Sequence, residues 1–235
     1  LDKVTTYATT APSLGNDVFV NIPNDAALYC PTESEADYIA KGWDNYFNIT
    51  STDIYGGQCG DNITWLLTPS TGELKITGTG AMWDYDNTTN IAPWRAHKDN
   101  IKLLTLSEGI THVGNQAFRE LDKVEQTLTL PSTLVSIGDY AFVSFGTDGI
   151  GALTLPESLT TLGQIAFRRN YFSEINISSN IVDIPRLAFA ESYNITEITI
   201  PEGVQSIGDG AFNSCNNIVT CTALAPTAPT LGENV

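Results

Sequence analysis

Val113-Gly114-Asn115-Gln116-Ala117-Phe118 decides the fold, because this pattern recurs through the second half of the chain. Four copies have an apolar residue, a glycine, two variable residues and then Ala-Phe, and a fifth copy has proline in place of the glycine. The copies end at Phe118, Phe142, Phe167, Phe212 and, in the proline variant, Phe189, so successive phenylalanines lie 24, 25, 22 and 23 residues apart. Self-similarity at such a period predicts a solenoid, in which each coil packs only on its neighbours.

A second pattern precedes each copy and predicts a β-strand. An apolar residue is followed by two more at i+3 and i+5, and the last two alternate as residues on one side of a strand do. A turn with Pro131, Pro156 or Pro201 follows, where a missing N–H ends the strand. The pattern occurs at Ile101-Leu104-Leu106, Ile150-Leu153-Leu155, Phe172-Ile175-Ile177, Ile195-Ile198-Ile200 and Ile218-Cys221-Ala223, and with one inserted residue at Val124-Leu128-Leu130.

Each coil is therefore predicted as a strand, a turn, a short apolar stretch, a glycine bend and an inward-facing Ala-Phe pair. We expect the glycine to supply a positive φ, which residues with a Cβ resist. Pro185 replaces the glycine in the copy that ends at Phe189. Because proline cannot take that φ, we expect this coil to bend differently from the others.

The repeat resembles the BspA-type leucine-rich repeats of bacterial surface proteins. The preceding segment adds to the resemblance, because Gly57-Gln58-Cys59-Gly60-Asp61-Asn62-Ile63-Thr64-Trp65 and Leu74-Lys75-Ile76-Thr77-Gly78-Thr79-Gly80 look like the β-hairpin module that opens such arrays. The resemblance covers residues 54–235. It implies a secreted or cell-surface protein that acts by adhesion to an extracellular protein or a cell-surface macromolecule, with neither catalysis nor a cofactor.

The first 53 residues resemble the closing segment of a preceding array. Thr9–Val18 match the chain's own Pro226–Val235, and the residues that follow are similar to a strand and short helix that cap an array. We therefore expect that the chain is part of a longer protein or that its own terminal cap was lost. Residues 1–53 are expected to be either a remnant of a preceding array or a segment that a neighbouring molecule borrows. The predicted fold is an α/β-type leucine-rich-repeat solenoid, strand-rich with short turns and helical segments. Its divisions are a cap-like segment (1–53), an opening module (54–98) and an array of about six coils, the last incomplete (99–235).

The composition narrows the class of partner. The formal charge is −16, from 11 basic and 27 acidic residues, which argues against nucleic acid and against anionic membrane surfaces. No apolar run is long enough to insert into a membrane, and no signal peptide is visible at Leu1, so we expect a mature or trimmed terminus. Cys215 and Cys221 are expected to be buried thiols rather than a disulfide.

The outward-facing strand positions form the first candidate binding site. They make a polar ladder with an acidic patch, which suits either a docking face for a protein or glycan, or cross-strand threonine pairs that only stabilise the sheet. If the ladder is a docking face, we expect its binding residues to be Thr105, Thr129, Thr154, Glu174, Asn176, Glu197 and Thr199.

Three other candidate sites carry weaker signals. Trp83 and Trp94 flank a polar loop and suit either a sugar-stacking glycan site or the packing of a solenoid end. The loop Asp84–Asn90 collects oxygen ligands but lacks the glycine and distant glutamate of an EF-hand, so no metal site is predicted. His97 and His112 have no recognisable spacing for a nucleophile or metal, and we predict no enzyme.

Overall fold

A computed structural model describes residues 3–6, 8, 10–15, 19, 23, 26–31, 34–52 and 55–235. The N-terminal part contains a three-stranded parallel sheet in the order β1, β2, β3. Its core is a separate cluster that includes Leu28, Tyr38 and Trp43. The elements are β1 (Lys3–Thr5), β2 (Ala27–Pro31), α1 (Glu35–Ala40), a 3-10 turn at Trp43–Asn45 and β3 (Asn48–Thr52).

An antiparallel meander opens the array and joins it through a parallel strand. The strands β4, β5 and β6 pair antiparallel, and β6 then pairs parallel with β8, the first strand of the repeats. The bounds are β4 (Tyr55–Gly60), β5 (Ile63–Thr68), β6 (Glu73–Gly78), β7 (Gly80–Ala81), a 3-10 helix at Pro93–Asn100 and β8 (Leu103–Leu106).

The repeats form two sets of parallel strands on different sides of the coil. The first set contains the strands predicted from the i+3, i+5 pattern: after β8 it comprises β11 (Ala152–Thr154), β13 (Glu174–Asn176), β15 (Glu197–Ile200) and β17 (Thr220–Ala223). The predicted strand at Val124–Leu130 is wrong, because the backbone of those residues is irregular and forms no ladder with the strands of the flanking coils. The repeat solenoid itself is confirmed, although its coils between residues 101 and 235 contain turns and no helix.

The second set of strands was not predicted. The short apolar stretch before each glycine position is itself a strand, which pairs with its counterparts in parallel register, as at His112 with Ser136 and Ser136 with Thr161. This set comprises, after β7, β9 (Ile110–Val113), β10 (Ser136–Ile137), β12 (Thr161–Leu162), β14 (Asp183–Ile184), β16 (Ser206–Ile207) and β18 (Thr230–Leu231).

The Ala-Phe pairs face inward and form a column of stacked rings along the solenoid axis. The Phe142 and Phe167 centroids are 5.0 Å apart with ring planes 3° from parallel, and Phe167 and Phe189 follow at 5.8 Å and 8°. Phe118, Phe142, Phe167 and Phe189 are fully buried. The inward orientation predicted from the repeat is thus confirmed, and this column is the spine of one continuous apolar core.

The expected role of the glycines is wrong. Gly138 and Gly163 do not have a positive φ; in those coils the positive φ falls two residues later, at Tyr140 (57°) and Ile165 (61°). Glycine is required because neighbouring coils approach closely: a Cβ on Gly163 would lie 2.3 Å from the carbonyl carbon of Gly138. The restriction is steric and acts between coils.

The expected distortion at Pro185 is also wrong. Leu187, two residues later, has φ 54° like its counterparts, and Phe189 is fully buried in the column. The backbone N–H groups of Leu187 and Phe189 donate to Asp209 O (3.0 Å) and Ala211 O (2.9 Å) of the next coil. The fixed φ of proline is compatible with this position because the position does not need a positive φ, and the presence of a Cβ at Pro185 shows that the close approach seen at Gly163 is not required in every coil.

These bonds belong to a third ladder, which runs along the Ala-Phe side of the coil in one direction. In each coil the N–H groups of alternate residues donate to carbonyls of the following coil, as Phe118 N does to Ala141 O (2.8 Å) and Phe142 N to Ala166 O (2.8 Å). Backbone polar groups in this segment thereby find partners although the segment is neither helix nor standard sheet.

The C-terminal end of the array is exposed. All four residues of β17 are exposed, and Val219, Leu224 and Leu231 have 83%, 58% and 66% of their surface accessible. The expectation of two buried thiols is wrong for Cys221, which is exposed because no coil of the described chain lies beyond β17. Cys215 is partly buried and donates to Phe189 O at 3.2 Å, and the two cysteines form no disulfide.

Candidate functional site

The outward residues of β11, β13, β15 and β17 form one surface, which we call the strand face. Parallel register places Thr154 opposite Asn176, and Thr199 opposite Thr222. Between these outward positions, the inward residues Leu153 and Ile198 are buried in the core. The alternation follows from the period of two in a strand, so the polar ladder is a direct consequence of the repeat.

A cleft of about 400 Å³ lies on the strand face. It brings together four of the predicted residues, Glu174, Asn176, Glu197 and Thr199, and adds Glu157 and Leu224. Glu157 follows β11 in the Pro156 turn, which carries its carboxylate to the edge of the cleft. The sequence signal for Glu157 was its place in the recurrent Pro-containing turn, which we interpreted only as a strand end.

The cleft is acidic. It has three carboxylates, Glu157, Glu174 and Glu197, and none of its lining residues is Lys, Arg or His. The Glu157 carboxylate accepts a hydrogen bond from Ser179 Oγ at 2.7 Å, and is thereby held in place. In the part of the chain that the structure describes, no group of three or more His, Cys, Asp or Glu is arranged to hold a metal ion.

The other three predicted residues lie outside the cleft. Thr105 Oγ1 donates to Glu73 Oε1 at 2.9 Å in the opening module, and Lys75 stands opposite it in register. Thr129 is exposed but lies in the segment that forms no strand. Thr154 is exposed and accepts a weak 3.4 Å hydrogen bond from Asn176 Nδ2. The predicted ladder is therefore divided, with its acidic half at β13 and β15.

Trp94 is not available to a ligand. Its side chain is fully buried, its ring stacks on Phe118 at 5.7 Å, and its Nε1 donates to Ala117 O at 2.7 Å. It lies 24 residues before Phe118 and occupies the phenylalanine position of a preceding coil, so a sugar-stacking pair of Trp83 and Trp94 is wrong. Trp83 is 44% exposed, and its Nε1 is 3.4 Å from Asp61 Oδ1.

The polar loop after Trp83 is held by its own hydrogen bonds. The Asp86 carboxylate accepts from the N–H groups of Thr88 (2.6 Å), Thr89 (2.7 Å) and Asn90 (3.0 Å). These bonds, that of Asn90 first, hold the pKa of Asp86 well below its ordinary value. The carboxylate is thus used in closing the loop.

His112 lies in a hydrogen-bonded row on the second set of strands. Its Nδ1 is 2.7 Å from Ser136 Oγ and its Nε2 is 3.4 Å from Asp84 Oδ1. The residue types are those of a catalytic triad, but a nucleophilic serine also needs donors placed for an oxyanion in a substrate pocket. Ser136 instead belongs to the open polar row of β9, β10 and β12, and we assign the row to sheet pairing.

Comparison with known proteins identifies the family. The profile of the BspA-type leucine-rich-repeat region matches residues 95–222 in six copies. A leucine-rich-repeat protein from Eubacterium ventriosum has a similar crystal structure, with 26% identity and a TM-score of 0.58 over 72% of this chain and 44% of that one. Another from Bacteroides ovatus has 15% identity and a TM-score of 0.53 over 74% of this chain and 55% of that one. The chain thus spans about half the length of these two proteins.

A comparison with curated proteins finds no match. None of the helices in the described part of the chain combines the length and apolar character needed to cross a bilayer. The family profile covers more than half of the 235 residues, and its repeat is the one seen in the coils. The chain belongs to the BspA-type leucine-rich-repeat proteins.

Proposed function

We propose that this protein is a secreted or cell-surface binding protein, without catalytic activity, that adheres to an extracellular protein through its strand face. The observation that carries the proposal is the acidic cleft, because it is the place where the predicted residues Glu174, Asn176, Glu197 and Thr199 converge on one concave surface. Leucine-rich-repeat solenoids generally act by presenting an extended preformed surface, which loses little conformational freedom on binding.

The chemistry of the cleft favours a partner segment that carries Lys or Arg. Three carboxylates on a chain of formal charge −16 give a negative potential that attracts cations over about 8–10 Å at physiological salt. The apolar edge at Leu224 supplies contacts for the stem of a long basic side chain, and the hydroxyl of Thr199 can accept a hydrogen bond from its charged head group.

Charge reversal in the cleft tests the proposal. We expect Glu174→Lys with Glu197→Lys to abolish retention on a panel of immobilised extracellular-matrix proteins, measured by surface plasmon resonance at low and at physiological salt. Asp122→Lys with Glu125→Lys is the matched control, because it makes the same change of charge at exposed residues away from the cleft.

Equal binding by both double variants would contradict the assignment of the strand face. Failure of the unaltered protein to bind any member of the panel would favour a spacer role, in which the array holds other domains apart. Unchanged circular dichroism of each variant shows that the comparison reports binding and not unfolding.

A glycan-binding role is the second candidate, and the exposure of Trp83 favours it. An exposed indole can stack on a sugar ring, and the polar loop beside it offers hydrogen-bonding groups. A polysaccharide ligand should change the tryptophan fluorescence of the unaltered protein but not that of Trp83→Phe. Since Trp94 is buried, a change that persists in Trp83→Phe would exclude this site.

A further inference from the structure

The two ends of the chain have similar sequences. Residues 3–18 align without gaps on residues 220–235, and half of the positions are identical. Strand β1 (Lys3–Thr5) falls on β17 (Thr220–Ala223), and Ala11-Pro12 fall on Ala228-Pro229. The identical positions are Thr5 and Thr222, Ala8 and Ala225, Thr10 and Thr227, Ala11 and Ala228, Pro12 and Pro229, Leu14 and Leu231, Gly15 and Gly232, and Val18 and Val235.

In the first copy, β1 and Ala11-Pro12 are covered by residues of the segments 26–31 and 34–52. Ala11 N donates to Asp37 Oδ2 at 2.6 Å, Trp43 Nε1 donates to Pro12 O at 3.0 Å, and Lys41 Nζ donates to Ala11 O. Ala11 is 2% exposed. The Ala11 N–H first, and then Lys41, hold the pKa of Asp37 below its ordinary value. Helix α1 and the turn after it therefore hold the Ala-Pro backbone through three hydrogen bonds.

The strand of the first copy is also covered, in the way that one coil covers another. Strand β2 pairs parallel with β1, with Thr5 opposite Tyr29, and Thr6 N donates to Tyr29 O at 2.9 Å. The same bond joins successive coils of the array, where Leu155 N donates to Asn176 O at 2.9 Å. Strand β2 thus occupies the position of the next coil after β1.

In the second copy, the corresponding residues are exposed to solvent. Cys221, Ala223 and Ala228 are exposed, and Leu231 is 66% exposed, whereas its counterpart Leu14 packs against the N-terminal core. The edge of β17 that faces away from β15 is the edge at which β2 lies on β1. An exposed edge with apolar residues beside it is a site at which another strand can add.

We propose that residues 26–52 of a second copy of this chain exchange β1 for β17, so that copies associate head to tail. In this complex β2 of the second copy pairs with β17, and Asp37, Lys41 and Trp43 of the second copy hold Ala228-Pro229 as they hold Ala11-Pro12. The inference goes beyond the proposed function, because it uses the end of the array and not the strand face.

The exchange has a physical advantage. Strand β1 has three residues and pairs only with β2 among the described strands, whereas β17 is fixed to the whole array through β15. A template that is already ordered binds with a smaller loss of conformational entropy. Because one element replaces another of matching sequence, the hydrogen bonds that β2 gives up at β1 form again at β17.

The exchange takes place between molecules and not within one. Strand β3 ends at Thr52 and β4 starts at Tyr55, and the three Cα-to-Cα steps between these residues span at most about 11 Å. From β4 to β17 the chain passes eight strand spacings of about 4.8 Å, or about 38 Å. Residues 26–52 cannot reach β17 of their own chain. The contact joins unlike surfaces, so it produces either rings or open chains of molecules.

Disulfide trapping tests the register of the proposed pair. In a background with Cys221→Ser, Thr222→Cys and Tyr29→Cys are prepared as separate proteins, mixed under reducing conditions at high concentration and then oxidised. Because Thr222 corresponds to Thr5, which faces Tyr29, we expect a covalent dimer of twice the monomer mass on a non-reducing gel. Light scattering of the unaltered protein should show masses above the monomer that fall on dilution.

Thr199→Cys mixed with Tyr29→Cys is the matched control, because Thr199 faces outward on β15, one strand inside β17. It should give no dimer, since about two strand spacings would separate the thiols. The proposal would be overturned if both mixtures gave equal amounts of dimer. It would also be overturned if the Thr222→Cys mixture gave no dimer, which is the result expected if an intact β1 docks on β17 without exchange. A monomer at every concentration would overturn it as well.

Discussion

The two ends of the array are built from the same repeat and have opposite surroundings. At the N-terminal end, Trp94 is fully buried under the opening module and stacks on Phe118. At the C-terminal end, Phe212 stacks on Phe189 at a similar centroid distance, 5.6 Å, yet stays partly exposed, and the residues of β17 are exposed. Whether an inward-facing repeat residue is fully buried thus depends on the presence of a coil beyond it as well as on its own coil.

Truncation of the aromatic column at its two ends should give the largest difference. We expect Trp94→Ala to lower the free energy of unfolding by about 3–5 kcal/mol, because it leaves a large cavity and removes the donor to Ala117 O. Phe212→Ala should cost about 1–2 kcal/mol, because its ring is only partly removed from water. Urea unfolding followed by circular dichroism measures both; equal losses would contradict the comparison.

Glycine substitutions should give an intermediate difference. A Cβ on Gly163 would meet the backbone of the preceding coil at 2.3 Å, and one on Gly232 would meet Asp209 N at 2.5 Å. We expect Gly163→Ala to cost about 1–3 kcal/mol, since the coils on either side prevent relaxation. Gly232→Ala should cost clearly less, because the last coil can move outward. Thermal unfolding midpoints provide the measurement, and a greater loss for Gly232→Ala would refute the steric argument.

The smallest effect should come from an ion pair inside the array. Burial raises the pKa of Glu191, but hydrogen bonds from Arg168, Arg169 and Tyr193 bring it below its ordinary value of 4.5. A carboxyl with a lowered folded-state pKa stabilises the fold above its unfolded pKa, and this stability is lost as pH falls through the folded-state pKa.

We therefore expect Glu191→Gln to be less stable than the unaltered protein at pH 7, by about 0.5–1 kcal/mol. The difference should shrink below pH 4.5. Denaturant unfolding at a series of pH values measures it. A difference that stays constant down to pH 3 would show that packing, and not charge, accounts for the loss.

The period and the inward Ala-Phe pairs could be predicted because they are properties of single coils repeated many times. The role of Gly138 and Gly163 could not be predicted, since the space for a side chain at these positions is limited by the backbone of another coil. The second set of strands was missed because strands of two residues, such as Ser136–Ile137, show no alternation and are defined only by their partners.

The candidate site could be predicted in part, because the outward orientation of its strand residues is a property of each single coil. Glu174, Asn176, Glu197 and Thr199 face outward by strand alternation, which the sequence shows, whereas their grouping in a cleft with Glu157 depends on how a turn is carried over its neighbour. The position of Trp94 in the core has a usable sequence signal, which is its distance of 24 residues from Phe118. The division of the chain at residues 53 and 98 stays a prediction, and part of the Thr9–Val18 match lies outside the described residues.

The one-way ladder on the Ala-Phe side gives the array a polarity. Since every N–H of this ladder donates toward the following coil, removing coils from the C-terminus leaves donors without acceptors, and removing them from the N-terminus leaves acceptors without donors. Buried N–H groups tolerate the loss of a partner less well than carbonyls do. On this side of the coil, fraying should therefore start at the C-terminal end of the array.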